Sequence, residues 1–354
     1  MTTDKKKQHY VPVFYLKNFS IELNKKEIGI FNTKSQEYIK AGPLKNQGYK
    51  KFFYGRDGVM EDWLSKIEGD LTKCIRTILT TKMIPVKNSL DHVDLIAFVA
   101  ITDIRNPISI GLISERNEIM KASILEIDPS ADTTELIPDT THEENVELSF
   151  SNVKLIVKIC GDLDFKLIIN KTETPFITSD VPVVRYNQFL ERNNWQYGKA
   201  GFGNIGLQIF IPLSPSISII FYDPKIYNIG NKRHHYLDIT REDDIDQLNL
   251  LQILNCKNNL FFNEGISENY ISELFIVSKQ FKKANQAVSS IHDLHEEGSN
   301  GSRLLRMGTT ECEIDLNIKG MTVNSGASKV KFTDSVTMFR SHVQRIRDLE
   351  KNYE

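Results

Sequence analysis

The hydrophobic positions in the first third of the chain recur at helical spacing. They predict a helix over residues 60–80, a second helix that begins at Ser89, and a third that continues from Pro107 to about residue 127. Ser89 is a typical N-cap residue, and Pro107 interrupts the apolar stripe between the second and third helices. Two short apolar segments before these helices, 28–31 and 38–39, predict a β-hairpin.

Further along the chain the hydrophobic pattern shortens into strand-like segments separated by turn residues. Five strands are predicted, at 165–169, 176–178, 183–184, 207–211 and 217–221. Short connections favour antiparallel pairing. Helical spacing returns over 241–262 and 267–287. The predicted fold class is therefore α+β, with a mainly antiparallel central sheet and flanking helices.

Composition along the chain suggests three regions. Residues 1–127 form a helical region with a short hairpin, and residues 128–288 carry the sheet and two helices. The acidic, Thr-rich stretch 128–145 is predicted to be a loop or lid, and the Gly-rich stretch 186–206 a mobile loop. The first two regions are expected to form one composite domain, followed by a polar C-terminal extension over 289–354.

Charge and cysteine content narrow the class of protein. The chain of 354 residues is 40% hydrophobic and 25% charged, with a formal net charge of −2. These values are ordinary for a globular protein and argue against a generally cationic nucleic-acid coat. The four cysteines are widely spaced, and no apolar run is long enough to cross a bilayer. We therefore expect a reduced, cytoplasmic protein with no membrane partner.

The first candidate site residue is His9, three positions before Pro12. Pro12 suits the first turn of a helix whose apolar face would include Val13 and Leu16. Such a helix would place His9 beside its N-terminus, where an anionic ligand is favoured.

The second candidate is Asp180, where an apolar strand ends and Pro182 restricts the chain to extended geometry. A carboxylate at a strand end can serve as a metal ligand or general base. It can equally form an Asx-turn by accepting backbone N–H groups.

Polar residues on the predicted helices can likewise have either a structural or a ligand-binding role. Arg105 ends an apolar run, so it either extends its charge to solvent or binds a phosphate or carboxylate. Glu68 lies on the apolar side of its helix and is the more inward of two glutamates. Asn249 and Gln252, three residues apart on an apolar helix, either line a polar pocket or tie down a loop.

Several common catalytic signatures are absent from the sequence. It contains no Walker-type phosphate loop, no GxGxxG after a strand, no GxSxG elbow and no HExxH. These absences exclude P-loop NTPases, Rossmann dehydrogenases, α/β-hydrolases and zincin proteases.

The chain resembles the DUF4238 family, a bacterial domain of unknown function. The resemblance extends to about Phe262 and follows the order of the family's motifs: Lys7-Gln8-His9-Tyr10-Val11-Pro12, Phe53-Tyr54, Ile67-Glu68, Arg105-Asn106-Pro107, Pro175-Phe176-Ile177-Thr178-Ser179-Asp180-Val181-Pro182 and Ile211-Pro212-Leu213-Ser214. The chain departs from the family pattern where Val181 follows the aspartate and around Asn258.

The resemblance singles out the same four polar residues and implies that they share a pocket. A histidine, two carboxylates and an arginine suit phosphoester hydrolysis, with His9, Glu68 and Asp180 as catalytic residues. Arg105 would bind phosphate, and the other expected substrate contacts are Tyr10, Ser179, Asn249 and Gln252. The sequence names no cofactor, and Mg²⁺ and Mn²⁺ are the metals to test.

Three functions remain open at this point. The first is a hydrolase, in its concrete form a nuclease that cleaves DNA or RNA in bacterial anti-phage defence, with the lysine cluster at residues 5–7 touching phosphates. The second is a non-catalytic sensor of an anionic, nucleotide-like ligand. The third is a structural protein that acts through partner proteins or by self-association, in which these residues only cap and pair.

Overall fold

The computed structural model describes residues 6–293, 303–332 and 337–351. The strands are β1 (Lys7–His9), β2 (Glu27–Asn32), β3 (Glu37–Pro43), β4 (Tyr49–Lys51), β5 (Asp164–Asn170), β6 (Thr178–Ser179), β7 (Val184–Tyr186), β8 (Gln208–Ser214), β9 (Ile217–Tyr222), β10 (Tyr227–Ile229), β11 (Tyr236–Ile239), β12 (Asn259–Phe262), β13 (Ala287–Asp293), β14 (Arg303–Thr309) and β15 (Met321–Val323). The α-helices are α1 (Val13–Leu16), α2 (Val59–Thr81), α3 (Leu90–Ile104), α4 (Pro107–Ile127), α5 (Thr133–Leu136), α6 (His142–Ser151), α7 (Val153–Cys160), α8 (Gln188–Arg192), α9 (Glu242–Asn255), α10 (Glu268–Ser278) and α11 (Ser341–Lys351).

The centre of the fold is a five-stranded sheet in the order β11-β5-β9-β8-β7. The pairs β5–β9, β8–β9 and β7–β8 are antiparallel, whereas β11 joins the edge of the sheet in parallel with β5. The chain is thus an α+β protein whose sheets are mainly antiparallel, and this confirms the predicted fold class.

Both faces of this sheet are buried, and successive side chains on each strand enter different cores. On β5, Phe165 and Leu167 pack with α2, α3 and α7, while Ile168 packs on the opposite side with α9 and α10. The same alternation on β9 sends Ile219 to the first core and Ile220 to the second. Burial at nearly every position of β5 and β9 is the expected pattern for strands that are covered on both faces.

A second sheet joins the N-terminal and central parts of the chain. Its order is β3-β2-β12-β6, and all of its pairs are antiparallel. The predicted helix over 241–262 is wrong in its last part, because α9 ends at Asn255 and residues 259–262 form β12. The apolar run 260–262 is only three residues long, which is too short for its periodicity to separate a strand from a helix.

The predicted helices over 60–80, 89–104 and 107–127 are confirmed. The Ser89 hydroxyl caps α3 by accepting a hydrogen bond from the His92 N–H at 3.2 Å. The predicted loop over 128–145 is wrong in part, because it contains α5 and the first turn of α6. Thr141 and Glu144 form a capping box at the start of α6, a sequence signal that marks this helix.

The C-terminal segment contacts the rest of the fold through a buried arginine. Arg340 pairs with Asp162 and donates to the carbonyl oxygens of Phe202, Asn204 and Ile159. In the same segment α11 begins at Ser341, and residues 333–336 lie outside the described residues, as does residue 5 of the lysine cluster. No single described helix is both long and apolar enough to cross a bilayer; α3 and α4 meet that criterion only as a bent pair.

Candidate functional site

Arg105 occupies the turn between α3 and α4 and is 2% exposed. Asn106 caps α4 by accepting hydrogen bonds from the N–H groups of Ile108 and Ser109, and Pro107 is the first residue of that helix. Proline at this position costs no hydrogen bond, because the first N–H groups of a helix lack intrahelical partners. The Asn-Pro pair therefore ends one helix, starts the next and leaves Arg105 inside the turn.

The guanidinium of Arg105 binds three groups from separate parts of the chain. Nε donates to the Tyr54 hydroxyl at 3.0 Å, Nη1 to Glu68 Oε1 at 2.8 Å, and Nη2 to the His9 carbonyl oxygen at 2.6 Å. We call these four residues the Arg105 cluster. Burial opposes the charge of Arg105, but Tyr54 and Glu68 hold its pKa above the ordinary value. Of the two sequence-based interpretations of Arg105, the structure supports the fork-shaped donor.

His9 is positioned by its main chain. Its carbonyl accepts hydrogen bonds from Arg105 and, at 3.1 Å, from the Tyr54 hydroxyl. The adjacent Gln8 side chain accepts from the Tyr54 N–H at 2.6 Å and donates to the Gly55 carbonyl at 2.9 Å. The expected helix N-terminus contributes little, because α1 comprises only four residues and begins after Pro12.

The His9 imidazole is partly buried. Its Nε2 atom lies 3.4 Å from the Lys45 carbonyl oxygen. Burial lowers the pKa of His9 below its ordinary value of 6.5, and the charges of Arg105 and Lys7 act in the same direction. The Lys45 hydrogen bond and the Glu68 charge oppose this shift. His9 is therefore neutral near pH 7 and can accept a proton.

Glu68 also lines a groove between α2 and the segment around α1, which we call the α2 groove. It comprises two adjoining cavities of about 410 and 220 Å³ that share Phe14, Thr72 and Arg76. Four cationic side chains line it: Lys17, Lys25, Lys73 and Arg76. Among the residues that the structure describes, Glu68 is the one carboxylate that lines either cavity. The groove is therefore suited to an anionic ligand with Glu68 at one end.

The sequence reasoning did not identify these cations as site residues. Lys73 and Arg76 are three residues apart on α2, so they share a helical face, and Glu68 lies eight residues, or about two turns, before Arg76. That spacing was readable from the sequence. Lys17 and Lys25 reach the groove only through the packing of the N-terminal segment, for which local periodicity gives no signal.

Asp180 lies elsewhere and closes a turn. Its carboxylate accepts hydrogen bonds from the N–H groups of Lys257, Asn258 and Asn259, at 2.7, 2.9 and 3.1 Å. We call this arrangement the Asp180 clamp. Burial raises the pKa of Asp180, while the three N–H groups and Lys283 oppose that shift. Because both oxygens are already engaged, the contacts favour the Asx-like interpretation over a catalytic one.

The two amides predicted as pocket residues hold the irregular chain around Asp180. Asn249 accepts from the Ile177 N–H at 3.0 Å and donates to the Pro175 carbonyl at 3.0 Å. Gln252 accepts from the Ser179 hydroxyl at 2.9 Å and donates to the Pro182 carbonyl at 2.9 Å. These bonds favour the loop-tying alternative for the amides and a structural role for Ser179.

The structure therefore divides the predicted site residues into two groups. His9, Glu68 and Arg105 are brought together by the Arg105 cluster, with Tyr54 as a member that the sequence reasoning gave no role. Asp180, Ser179, Asn249 and Gln252 lie around the Asp180 clamp. Tyr10 interacts with both groups: burial raises its pKa, and Asp180 and Tyr54 contribute in the same direction.

A metal site is not evident from protein ligands. Among the residues that the structure describes, no group of three or more His, Cys, Asp and Glu side chains is placed to hold a metal ion. Mg²⁺ nevertheless needs few protein ligands, since one or two carboxylates and substrate phosphates can bind it. Glu68 is the residue of the α2 groove that could contribute in this way.

We predict that Arg105→Ala lowers the free energy of unfolding by about 3–5 kcal/mol, because it leaves three polar groups without their donor. Arg105→Lys should recover only part of this loss, since one ammonium cannot match the guanidinium fork. Urea denaturation measures both effects. A wild-type midpoint for Arg105→Ala would contradict the proposed anchoring.

We predict that Asp180→Asn destabilises the protein by about 2–4 kcal/mol, because an amide nitrogen would face backbone donors. Calorimetry of this variant beside Asp70→Asn, an exposed control on α2, measures the effect. A wild-type melting temperature combined with lost turnover would contradict the structural role and restore a catalytic one.

Comparison with known proteins identifies one family. The family model described as a protein of unknown function (DUF4238) matches residues 7–265. No curated protein and no solved structure gives a significant match. The matched range covers most of the chain and includes both the Arg105 cluster and the Asp180 clamp, so the chain belongs to the DUF4238 family.

Proposed function

We propose that the protein is a hydrolase that cleaves phosphoesters of a nucleotide or nucleic acid bound in the α2 groove. One observation carries the proposal. A carboxylate, Glu68, is fixed by a buried arginine at the end of a cation-lined groove, and a neutral histidine lies within electrostatic range of it. Carboxylates and neutral imidazoles are the usual proton acceptors of hydrolases.

The proposed chemistry uses the groove to bind and His9 to activate water. Lys73 and Arg76 neutralise phosphate charge. A water molecule attacks phosphorus, a new P–O bond forms, and the P–O bond to the leaving group breaks. His9 takes the proton of the attacking water, and solvent protonates the leaving oxygen. Glu68 orients the water or holds a divalent cation with the substrate phosphates.

Arg105 acts in this scheme as a positioning residue. Its three hydrogen bonds fix the Glu68 carboxylate and the His9 main chain relative to each other, so both groups are held before substrate binds. Asp180 is not needed for the proposed step, because its oxygens are occupied by backbone donors.

The proposal extends to the cellular location and the biological role of the hydrolase. All four cysteines are free and buried, which supports a reducing, cytoplasmic location. Cleavage of nucleic acid there would suit bacterial defence against mobile DNA.

A sensor of an anionic nucleotide is the second candidate. It is favoured by one specific observation: Glu68, the carboxylate that lines the groove in the described part of the chain, is already paired with Arg105 at 2.8 Å. In that case Lys73 and Arg76 recognise the phosphates and no bond is broken.

We predict that purified protein hydrolyses nucleotides or single-stranded nucleic acid, and that His9→Ala and Glu68→Gln each lower kcat/KM by about a hundredfold or more. His9→Ala is a clean test, because Arg105 binds the His9 carbonyl and not its ring. Assays run with Mg²⁺, with Mn²⁺ and with chelator measure turnover.

Matched controls come from the same helix. Asp70→Asn removes a carboxylate two residues from Glu68, and Lys66→Ala removes a cation that does not line the groove. Neither should change kcat/KM, whereas Lys73→Ala should raise KM about tenfold. Saturable nucleotide binding without turnover under every metal condition would reject the hydrolase and leave the sensor.

We predict an acid limb in the pH profile of kcat/KM with an apparent pKa below 6.5. Burial disfavours the imidazolium form of His9, so the neutral base is present at pH 7 and is lost only as pH falls through its lowered pKa. Steady-state rates measured between about pH 4.5 and 8 test this prediction, because that window includes the pKa values that histidines usually have in proteins. A limb that persists in His9→Ala would assign it to another group.

A further inference from the structure

A second concave site lies on the far edge of the central sheet, away from the residues discussed so far. This cavity of about 550 Å³ is bounded by β5, the end of β9, β10, the turn at 231–235 and the 84–87 connection between α2 and α3. We call it the basic cleft. Its volume is within the usual range for small-molecule sites.

The cleft contains four cations and one carboxylate among its lining residues. The cations are Lys87, Lys166, Lys232 and Arg233, and the carboxylate is Asp164. Lys87 pairs with Asp164. The remaining three cations have no carboxylate partner within the described part of the chain, so a ligand of more than one negative charge would complete them.

Lys166 distinguishes the cleft from an ordinary solvated surface, because this lysine is buried and its ammonium is held in place by hydrogen bonds. It is 7% exposed, on the same face of β5 as Ile168. Its ammonium donates to the carbonyl oxygens of Ile229 and Asn231, both at 2.7 Å. A lysine ammonium has three donors, so one remains without a partner among the described residues. Burial lowers the pKa of Lys166, and an anion beside it would favour the charged form.

Apolar residues form a further part of the cleft wall. Ile84, Pro85, Phe165 and Pro224 line it together with the cationic residues. A ligand that fills the cavity therefore needs both a polyanionic end and a flat or apolar part. Nucleotides combine these features, with phosphates for Lys166 and Arg233 and a base for the Pro85 side.

We propose that the basic cleft is a nucleotide-binding site that is separate from the α2 groove. Lys166 supplies a fixed phosphate donor, and Lys232 and Arg233 close over the phosphates from the turn. The assignment does not depend on whether the α2 groove hydrolyses anything, because the two sites share no lining residue.

Calorimetric titration with adenosine diphosphate tests the proposal. All titrations use protein with the Arg76→Glu substitution, which is introduced to suppress anion binding in the α2 groove. Adding Lys232→Glu and Arg233→Glu should raise the Kd about tenfold to a hundredfold, as expected for the loss of one or two charge-assisted hydrogen bonds. Lys40→Glu, an exposed change on β3, is the matched control and should leave the Kd unchanged.

Further titrations separate the two parts of the ligand. Pyrophosphate and adenosine should each bind more weakly than the diphosphate. Equal affinity for pyrophosphate would overturn the base-binding wall, and no binding at millimolar diphosphate would overturn the site. With Arg76 intact, the Lys232→Glu, Arg233→Glu protein should keep any turnover of the α2 groove, so failure of one proposal is distinguishable from failure of the other.

Discussion

The arrangement of the N-terminal half depends on where one buried guanidinium finds its acceptors. Arg105 cannot lose its charge at any ordinary pH, so folding must supply partners for it inside the protein. It obtains them from β1, the segment before α2, and α2 itself. Because each partner belongs to a different element, the guanidinium sets the relative positions of these elements. Satisfying the charge of Arg105 would not by itself require Glu68 to line the α2 groove. Because Glu68 does line it, the Arg105 cluster is connected to the proposed ligand site.

In the central part of the chain, three neutral amides and one carboxylate satisfy buried backbone groups in a related way. The segment from Pro175 to Val183 is largely irregular and buried, so its backbone N–H and C=O groups cannot reach water. Amides spaced three residues apart on α9 satisfy them: Asn249, Gln252 and Asn255. Asp180 then ties the same segment to the turn after α9. These four polar residues, three of which the sequence offered as site residues, thus make hydrogen bonds that a longer strand would have made.

The sequence predicted best those helices and strands that depend on local patterns of residues. Helices α2, α3 and α4 and strands β5, β8 and β9 follow from spacing, a cap and turn residues, and the α+β class follows from them. The roles of Arg105 and Asp180 could not be decided in this way. The acceptors of Arg105 lie 37 to 96 residues away, and the donors to Asp180 lie 77 to 79 residues away. Local spacing carries no information on such pairs. Strand β12 was missed for a different reason, since its three apolar residues, 260–262, follow a helix closely and can be taken for its continuation.

A net charge of −2 conceals a strong local separation of charge. Lys17, Lys25, Lys73 and Arg76 converge on the α2 groove, while Lys166, Lys232 and Arg233 converge on the basic cleft. The compensating acids lie elsewhere, for example in the first turn of α9, where Glu242, Asp243 and Asp244 suit the positive end of the helix dipole. Screening in physiological salt limits the reach of exposed charges to about 8 Å. A ligand in either concavity therefore experiences the local cations and not the net charge of the chain, so a slightly acidic protein can still bind polyanions.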